Sequence, residues 1–285
     1  MRRKNMAWMG FLSPSFLGIL LFVLLPFLDV IRRSFTTTGS KQFSGIHNYR
    51  MILGNQAFLL AVKNTLAFTG FCIPLLVILG LCVALPLGRS GYARFLKSMY
   101  LFPLVMPTAT IVIVWKMIFA RQGFLNRLLT WFGTVSGFFP EGIRIDYLGS
   151  EAAFFVLAAT YIWKNLGYTV VLWLAGMMSI PEEILEAAKV DGAGEVKSFF
   201  YVVLPNLKGS LYTIVVLSFL NSFKIYREAY LVAGAYPDGS IYLLQHLFNN
   251  WFVNLELDKM AAGAVLVGAF LFALILLLQK LWDKN

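Results

Sequence analysis

Two groups of polar side chains stand inside otherwise apolar stretches of this sequence. The members of the first group are spaced by four and three residues and therefore share one face of a helix: Tyr161, Asn165 and Tyr168, with Lys164 adjacent. The second group lies on one face of a later stretch: Ser218, Asn221 and Ser222, followed by Lys224. Aromatic rings beside amides and hydroxyls suit a saccharide, whose ring faces stack while its hydroxyls need donors and acceptors.

Polar side chains are costly in hydrocarbon, so these groups should face a helical bundle or a wet cavity. They are candidates for lining a path, and the alternative is hydrogen bonding between neighbouring helices. If Lys164 and Lys224 both reach such a path, the solute could be anionic, as a uronate-containing oligosaccharide or a sugar phosphate is. The alternative for each lysine is that its charged end reaches an interface.

The sequence offers no catalytic or metal-binding cluster. His47 and His246 are far apart and have no Cys or acidic partners at ligand spacing. The stretch from Gly192 to Ser198 ends in Lys-Ser like a phosphate-binding loop, but it lacks the glycine before the lysine and no strand precedes it. We therefore expect a non-catalytic protein that holds no cofactor.

The elements that carry these groups are predicted to be membrane helices. Of the 285 residues, 59% are hydrophobic and 13% are charged, and the mean hydropathy is +0.73. A soluble domain carries about 25% charged residues, so the composition argues against a soluble enzyme or a disordered chain. The net charge of +10 comes from scattered residues, which favours anionic lipid headgroups over nucleic acid as the partner.

Six apolar runs are long enough to cross a bilayer, which takes about 20 helical residues. They are approximately Trp8–Ile31, Leu60–Leu85, Ser98–Phe119, Ala152–Gly176, Lys208–Tyr226 and Lys259–Trp282. We expect an all-α integral membrane bundle of six spans, forming a single domain over residues 1–285. The first run is too long for a secretory signal and has no small-residue cleavage site, so it should remain as a span.

Basic residues favour the cytoplasmic side of a membrane protein. With the N-terminus inside, the shorter inner segments hold slightly more Lys and Arg than the longer outer loops, beginning with Arg2, Arg3 and Lys4. Both termini are therefore predicted to be cytoplasmic. The same orientation places the polar segment between the fourth and fifth spans, about residues 177–207, in the cytoplasm.

This 177–207 loop is predicted to contain two short helices. Ser179 is positioned to cap the first one, because Glu182 follows three residues later as in a capping box, and Asp191-Gly192 supplies its end. A second helical segment, Glu195 to Val203, should be broken by Pro205. Such a pair is suited to docking on the cytoplasmic face, and the alternative is a loop helix lying on the membrane surface.

The same loop resembles a known family. Residues 186–192 read Glu-Ala-Ala-Lys-Val-Asp-Gly and are followed, after nine residues, by Val-Val-Leu-Pro at 202–205. This is similar to the "EAA" signature of the membrane subunits of binding-protein-dependent ABC importers, with Val202 where isoleucine is usual. Pro181 and Ala193 fit the longer form of the carbohydrate branch, the maltose and glycerol-phosphate permease type.

The resemblance extends along most of the chain. Its further points are His47-Asn48-Tyr49, Asn64-Thr65, Phe102-Pro103 with Pro107, and Trp163 with Gly167. Two departures stand out. The chain has Gly234-Ala235-Tyr236-Pro237 where the family often has a Gly-Gly-Pro turn, and its third loop is too short for the large outer domain of the best-known maltose permease subunit.

The resemblance implies an inner-membrane permease subunit of a bacterial or archaeal importer, paired with a second, homologous permease. Two ATPase subunits would bind ATP and Mg, and an extracytoplasmic binding protein would deliver a saccharide. Glu186 would pair with a basic group of the ATPase, and the other coupling residues would be Ala187, Ala188, Asp191 and Gly192. Saccharide contacts would come first from Asn165, Tyr168 and Asn221, and then from Tyr161, Lys164 and Lys224.

Other assignments remain open at this stage. Within the same family, the solute could be glycerol phosphate or an anionic saccharide. A stand-alone secondary transporter is the rival from another class, although the span centres hold few of the acidic residues that proton coupling needs. The aromatic stretch Ile241 to Phe252 could be an interfacial belt or a landing surface for the binding protein.

Overall fold

A computed structural model of the chain describes residues 7–39, 42–88, 93–137 and 144–283. Within these ranges the regular structure is helical, apart from one isolated bridge between Thr36 and Phe43. The predicted all-α class is therefore confirmed. The contacts between Cα atoms divide the chain into two compact units, residues 1–59 with 247–276 and residues 60–246 with 277–285.

Helices long and apolar enough to cross a membrane recur along the described residues. Five such stretches are Phe11–Ser34, Gln56–Gly88, Thr108–Ser136, Ala153–Met178 and Leu257–Lys280. A sixth candidate is the helix pair Glu195–Asn206 and Lys208–Ala233, which qualifies only when the two parts are taken together and is bent by 63° between them. Their number agrees with the six predicted spans. Arg2, Arg3 and Lys4, on which the predicted orientation partly depends, lie outside the described residues.

In the first unit, the first span is built from two helices joined without a break. They are α1 (Ala7–Ile19) and α2 (Leu25–Ser34), with a π-helical turn at Leu20–Leu24 between them. In that turn the Leu25 N–H bonds the carbonyl of Leu20, five residues back, which widens the helix just before Pro26. The wider turn makes room for a proline ring that would otherwise collide with the preceding turn.

The loop after this span is fixed by α3 (His47–Leu53). The buried Asn48 amide donates to the carbonyls of Ser34 and Thr36, both at 3.0 Å, and the hydroxyls of Ser34 and Tyr49 are 2.6 Å apart. These bonds give a physical role to the His47-Asn48-Tyr49 motif. It closes the turn that follows the first span.

The next four helices are α4 (Gln56–Gly88), α5 (Ala93–Val105), α6 (Thr108–Phe119) and α7 (Phe124–Ser136). The prediction of one continuous span over Ser98–Phe119 is wrong, because the chain leaves the helix at residues 106–107. Pro107 has no N–H to continue the helical ladder and adopts an extended ψ of 138°, and α6 starts directly after it. The long apolar stretch here is instead α6 followed by α7, Thr108–Ser136.

The helix α8 (Ala153–Met178) is the most buried span of the second unit. It packs against α5 at Gly167, where a Cβ atom would collide with the carbonyl oxygen of Tyr100. At Gly176 a Cβ atom would instead collide with side-chain atoms of Leu207 and Ser210. Glycine therefore lets the α5 backbone approach closely at Gly167 and makes room for two side chains at Gly176, as small residues commonly do between membrane helices.

After α8 the chain forms α9 (Glu182–Val190), α10 (Glu195–Ser198), a π-helical turn at Phe199–Val203 and α11 (Leu204–Asn206). Pro205 does not break the helix as predicted. The Leu204 N–H bonds Phe199 five residues back, and this widened turn accommodates the ring, as the first π turn does for Pro26. The helix ends one residue later, at Asn206.

The fifth span starts at α12 (Lys208–Ser222) and continues through a 3₁₀ turn (Phe223–Ile225) into α13 (Tyr226–Ala233). It is therefore seven residues longer than the predicted Lys208–Tyr226. The chain then forms a short 3₁₀ turn (Gly239–Ile241), α14 (Leu244–Val253) and α15 (Leu257–Asp283). The last helix confirms the sixth predicted span, with its start moved to Leu257.

Side chains from two helices hold the start of α14. Thr65 on α4 accepts the N–H of Leu244 at 3.1 Å, and the His246 Nδ1 accepts the N–H of Leu243 at 3.2 Å. Asn64 donates to the carbonyl oxygens of Gly239 and Tyr242. The Asn64-Thr65 pair thus joins α4 to the segment between α13 and α14. His246 supplies the reciprocal bond of a capping box.

Candidate functional site

Tyr161, the first member of the α8 polar group, lies in the core of the second unit. Its side chain is fully buried in a cluster with Phe68 and Cys72, and the Phe68 and Tyr161 ring centroids are 5.4 Å apart. Its phenol donates to the backbone carbonyl of Ser218 at 2.5 Å. Tyr161 therefore joins α8 to α12, which is the helix-packing alternative noted for this group.

Asn165 and Tyr168 continue the same face of α8. Asn165 is buried, and its amide donates to the carbonyl of Tyr161 at 2.7 Å. Tyr168 is half-buried, and its hydroxyl lies 2.7 Å from the hydroxyl of Ser218 on α12. The structure thus brings the two polar groups together at Ser218. That Asn165 and Tyr168 contact a saccharide stays a prediction.

The predicted saccharide contacts of the second polar group are Asn221, at the end of α12, and Lys224, in the 3₁₀ turn that follows. The half-buried Asn221 accepts a hydrogen bond from the ammonium of Lys224 through Oδ1, at 2.8 Å. The Lys224 side chain is exposed. Ser222 is buried and donates back to the carbonyl of Phe219. An amide and an exposed ammonium are therefore presented side by side.

Lys164 has a partner that the sequence analysis did not identify. Its ammonium is 2.5 Å from the Oε1 atom of Glu228 on α13, and the two side chains are 20% and 3% exposed. The hydroxyl of Thr108, at the start of α6, donates to the same oxygen at 3.4 Å. Glu228 was missed because the predicted span ended at Tyr226, two residues before it.

The 177–207 loop presents α9 to its surroundings. Glu186 and Ala187 are exposed, whereas Ala188 is buried against the rest of the chain. The helix ends at Val190, Asp191 follows as its C-cap, and Gly192 has a φ of 79° that favours glycine. The predicted helix and its end are confirmed. The positions of the five predicted coupling residues are consistent with a docking helix, although their coupling role stays a prediction.

The predicted N-cap of this helix is wrong. The N-cap position is Pro181, which makes no side-chain capping bond, and the helix starts at Glu182. The hydroxyl of Ser179 donates to the carbonyl of Gly176 at 2.7 Å and thus closes the end of α8. Ser179 was assigned to the wrong helix because the two helices are separated by only three residues.

The same loop exposes a set of apolar side chains. They are Met178, Ile184, Val190, Val196, Phe200 and Tyr201. Val190 is 88% exposed and Tyr201 is 81% exposed. Grouped exposed apolar residues of this kind mark an interaction surface with protein or with lipid. Acidic residues accompany them on α9, at Glu182, Glu183 and Glu186.

Comparison with known proteins decides between the families considered above. A sequence model of the family described as "Binding-protein-dependent transport system inner membrane component" matches residues 76–285. The chain belongs to this family. The matched range includes both polar groups and the whole 177–207 loop. The resemblance inferred from residues 186–192 and 202–205 is therefore confirmed, and the protein is a membrane component of a binding-protein-dependent transport system.

Several curated relatives are similar over most of their length. The trehalose/maltose transport system permease protein MalF of Thermococcus litoralis is 28% identical over 254 residues, which are 86% of this chain and 84% of the relative. The arabinooligosaccharides transport system permease protein AraP of Bacillus subtilis is 27% identical over 278 residues, covering 94% and 85%. The probable ABC transporter permease protein YesP of the same organism is 28% identical over 261 residues, covering 87% and 82%.

Solved structures confirm the permease fold. A chain of a bacterial ABC transporter involved in the import of the acidic polysaccharide alginate has a TM-score of 0.84 at 16% identity, with 99% of this chain and 96% of that chain covered. A chain of a bacterial alginate ABC transporter in complex with a periplasmic protein bound to alginate pentasaccharide has a TM-score of 0.79 at 18% identity, with the same coverage.

Metal-binding geometry is absent from the residues that the structure describes: no three of their His, Cys, Asp or Glu side chains are grouped to hold an ion. The two histidines have separate settings. His47 is exposed at the start of α3, and His246 is fully buried beside Tyr226 and Tyr242.

Proposed function

We propose that this chain is a permease subunit of an ATP-driven importer whose solute is a sugar or an oligosaccharide. The observation that carries the proposal is the family match over residues 76–285, which includes the Glu-Ala-Ala-Lys-Val-Asp-Gly segment at the largely exposed end of α9. The carbohydrate class is supported by relatives named for trehalose, maltose and arabinooligosaccharides. A binding protein on the outer side would deliver the solute.

The working assembly contains partners besides the binding protein. A second, homologous permease completes the path, and two ATPase subunits bind ATP and Mg, whereas this chain holds no cofactor. The first span is consistent with such a partner, since Phe11 is 91% exposed and Phe22 is 81% exposed. Lipid or another permease must cover these apolar side chains. The complex lies in the inner membrane with both termini of this chain in the cytoplasm.

The path would use the groups where α8 meets α12 and the 3₁₀ turn. Tyr168 offers a ring and a hydroxyl, Asn221 an amide and Lys224 an exposed ammonium, which together match the ring faces and hydroxyls of a saccharide. Tyr161 and Asn165 lie deeper and engage backbone carbonyls. We assign Tyr161 and Asn165 the role of positioning this face of α8. They would contact the saccharide directly only if the bundle opens.

Coupling would run through the 177–207 loop. ATP binding closes the ATPase subunits, and α9, held in a cleft of one of them, transmits that movement to α8 and α12 as a rigid lever. Glu186 would pair with a basic group in the cleft, and the small side chain of Ala187 would allow close approach. Gly192 permits the sharp turn that returns the chain to α10.

The experiment that tests this proposal uses the assembled transporter. The tagged chain, extracted gently from membranes, should bring down a second permease and an ATPase subunit. The Glu186→Lys change reverses the charge of the docking helix and should lower binding-protein-stimulated ATPase activity and saccharide uptake by at least tenfold. Glu151→Lys makes the same change at an exposed residue before α8 and should leave both near wild type.

Two outcomes would contradict the proposal. If no ATPase copurifies under conditions that keep the membrane complex intact, the importer function is wrong. If the Glu186→Lys transporter keeps full uptake and full stimulated ATPase activity, the role assigned to Glu186 is wrong.

A further inference from the structure

Glu228 is a buried carboxylate within a bent membrane span. It is 3% exposed, and its Oε1 atom receives the Lys164 ammonium and the Thr108 hydroxyl. It also borders a small cavity lined mainly by apolar side chains, among them Leu157 and Val232. A charge in such surroundings is strongly destabilised unless an opposite charge accompanies it. In this ion pair Lys164 and Glu228 balance each other's charge.

This ion pair lies next to the candidate path. Lys164 and Tyr168 are four residues apart on α8, so their side chains occupy the same face on successive turns. Tyr168 contacts α12 through Ser218, and Lys164 contacts α13, which directly follows the 3₁₀ turn that carries Lys224. The pair thus stands one helical turn from the predicted saccharide contacts.

The charge that a solute meets depends on this arrangement. Both polar groups contain a lysine, and the two lysines have different partners. The Lys164 charge is balanced by a carboxylate, whereas Lys224 donates to the neutral amide of Asn221. Without Glu228, a second uncompensated ammonium would stand beside Tyr168 in a region of low dielectric, where its attraction for an anion is strong.

We propose that Glu228 determines the charge specificity of the path: by neutralising Lys164, it makes the transporter favour uncharged saccharides over acidic ones. This inference deepens the proposed function and depends on it. It assigns Lys164 and Glu228 as a pair that sets the local charge, and it removes Lys164 from the groups that would bind an anionic solute directly. The anionic-solute alternative then depends on Lys224 alone among the lysines of the two polar groups.

The test compares uptake of two probes by the complete transporter in proteoliposomes. One probe is a neutral gluco-oligosaccharide, and the other is the same compound oxidised at one C6 to a uronate, both first shown to bind the binding protein. Because the same binding protein serves every variant, its own preference cancels when ratios of acidic to neutral uptake are compared. Uptake by the wild-type transporter tests the proposed function, and the variant ratios test the role of Glu228.

Glu228→Gln keeps the shape of the side chain and removes its charge, so it should raise the ratio of acidic to neutral uptake about tenfold. The double variant Lys164→Met with Glu228→Gln carries neither charge and should return the ratio to within about twofold of wild type. Glu151→Gln removes an exposed carboxylate before α8 and should leave the ratio unchanged.

A second variant keeps the test decisive. Lys164→Arg combined with Glu228→Gln places an unpaired guanidinium, which cannot lose its proton, beside Tyr168 and should also raise the ratio of acidic to neutral uptake. A raised ratio in this variant, absent from Lys164→Met with Glu228→Gln, would support the proposal. An unchanged ratio in the Lys164→Arg, Glu228→Gln transporter, while it still transports the neutral probe, would overturn it.

Discussion

The buried His246 imidazole accepts a backbone hydrogen bond, which it can do only while it is neutral. Its Nδ1 accepts the Leu243 N–H at the start of α14, and burial lowers its pKa from 6.5 to about 4. The unfolded chain binds this proton at a higher pH than the folded chain does, so stability should fall as the pH drops from about 6.5 towards 4. This pKa shift corresponds to a loss of about 3 kcal/mol at most in the free energy of unfolding.

The matched variants for this prediction are His246→Asn and His246→Leu. The Asn oxygen can accept the same N–H without titrating, so this variant should lose most of the extra pH dependence of the unfolding midpoint between pH 6.5 and 4. The Leu variant removes the acceptor and should be destabilised at every pH. Thermal unfolding of the purified complex in detergent measures both, and equal pH dependence in wild type and His246→Asn would contradict the assignment.

Gly167 makes a second prediction at the level of one residue. A methyl group at this position would meet the Tyr100 carbonyl, whereas a Cβ at Gly209 on α12 would meet open space. Gly167→Ala should therefore destabilise the protein by about 1–3 kcal/mol through overpacking of α5 against α8. Gly209→Ala should be neutral or slightly stabilising. Unfolding midpoints of the two variants provide the comparison, and similar values would show that α5 can move aside without cost.

At the level of helices, the two π turns can be compared by replacing the proline that follows each of them. Pro205→Ala restores an N–H and removes the ring that the widened turn accommodates, so the helix can revert to regular α turns. Loss of one extra residue from a turn rotates the preceding helix by about 100° relative to the following one. We expect α10 and the exposed face of the 177–207 loop to turn relative to α12, and stimulated ATPase activity to fall severalfold.

Pro26→Ala is the control for this change, because it alters the equivalent proline after the first π turn. It lies in the first unit, whereas the 177–207 loop belongs to the second, and it should leave stimulated ATPase activity close to wild type. Stimulated ATPase activity of the two reconstituted variants, compared with wild type, is the measurement. Equal losses in the two variants would show that the shape of the second π turn has no special part in coupling.

The sequence predicted the helices better than it predicted their interruptions. Long apolar runs identify spans because bilayer thickness fixes their length, and the Asp191-Gly192 end of α9 follows from local backbone chemistry. The break before Pro107 and the continuity through Pro205 could not be separated in advance, since both sites contain a proline in an apolar run. What decides between them is whether the neighbouring turn can widen, which depends on packing.

The candidate site likewise contains residues that local spacing predicts and a residue that it cannot predict. The face shared by Tyr161, Asn165 and Tyr168 follows from helical spacing, and the structure keeps it on α8 facing α12. The partner of Lys164 is 64 residues away in sequence, so no local pattern could identify Glu228. A longer estimate of the fifth span would have been the available signal, because it would have placed this carboxylate inside the membrane.

At the scale of the whole molecule, the predicted orientation determines every proposed role. In that orientation the 177–207 loop would face the proposed ATPases in the cytoplasm, and the segment between α13 and α14 would face the outer side. Val196 in the loop is 71% exposed and Tyr236 after α13 is 74% exposed, so each provides a reporter position. Single cysteines at these two positions should therefore react from opposite sides of the membrane.

The experiment first replaces Cys72 and Cys82, the two native thiols, with serine. Into this background Val196→Cys and Tyr236→Cys are introduced separately, and a membrane-impermeant maleimide is applied to intact cells and to inside-out vesicles. Cys introduced at 236 should be labelled in intact cells, and Cys introduced at 196 only in the vesicles. The cysteine-free protein serves as the blank for labelling. The reverse pattern would place α9 outside the cell, where no ATPase subunit could bind it. It would therefore contradict the proposed coupling through the 177–207 loop.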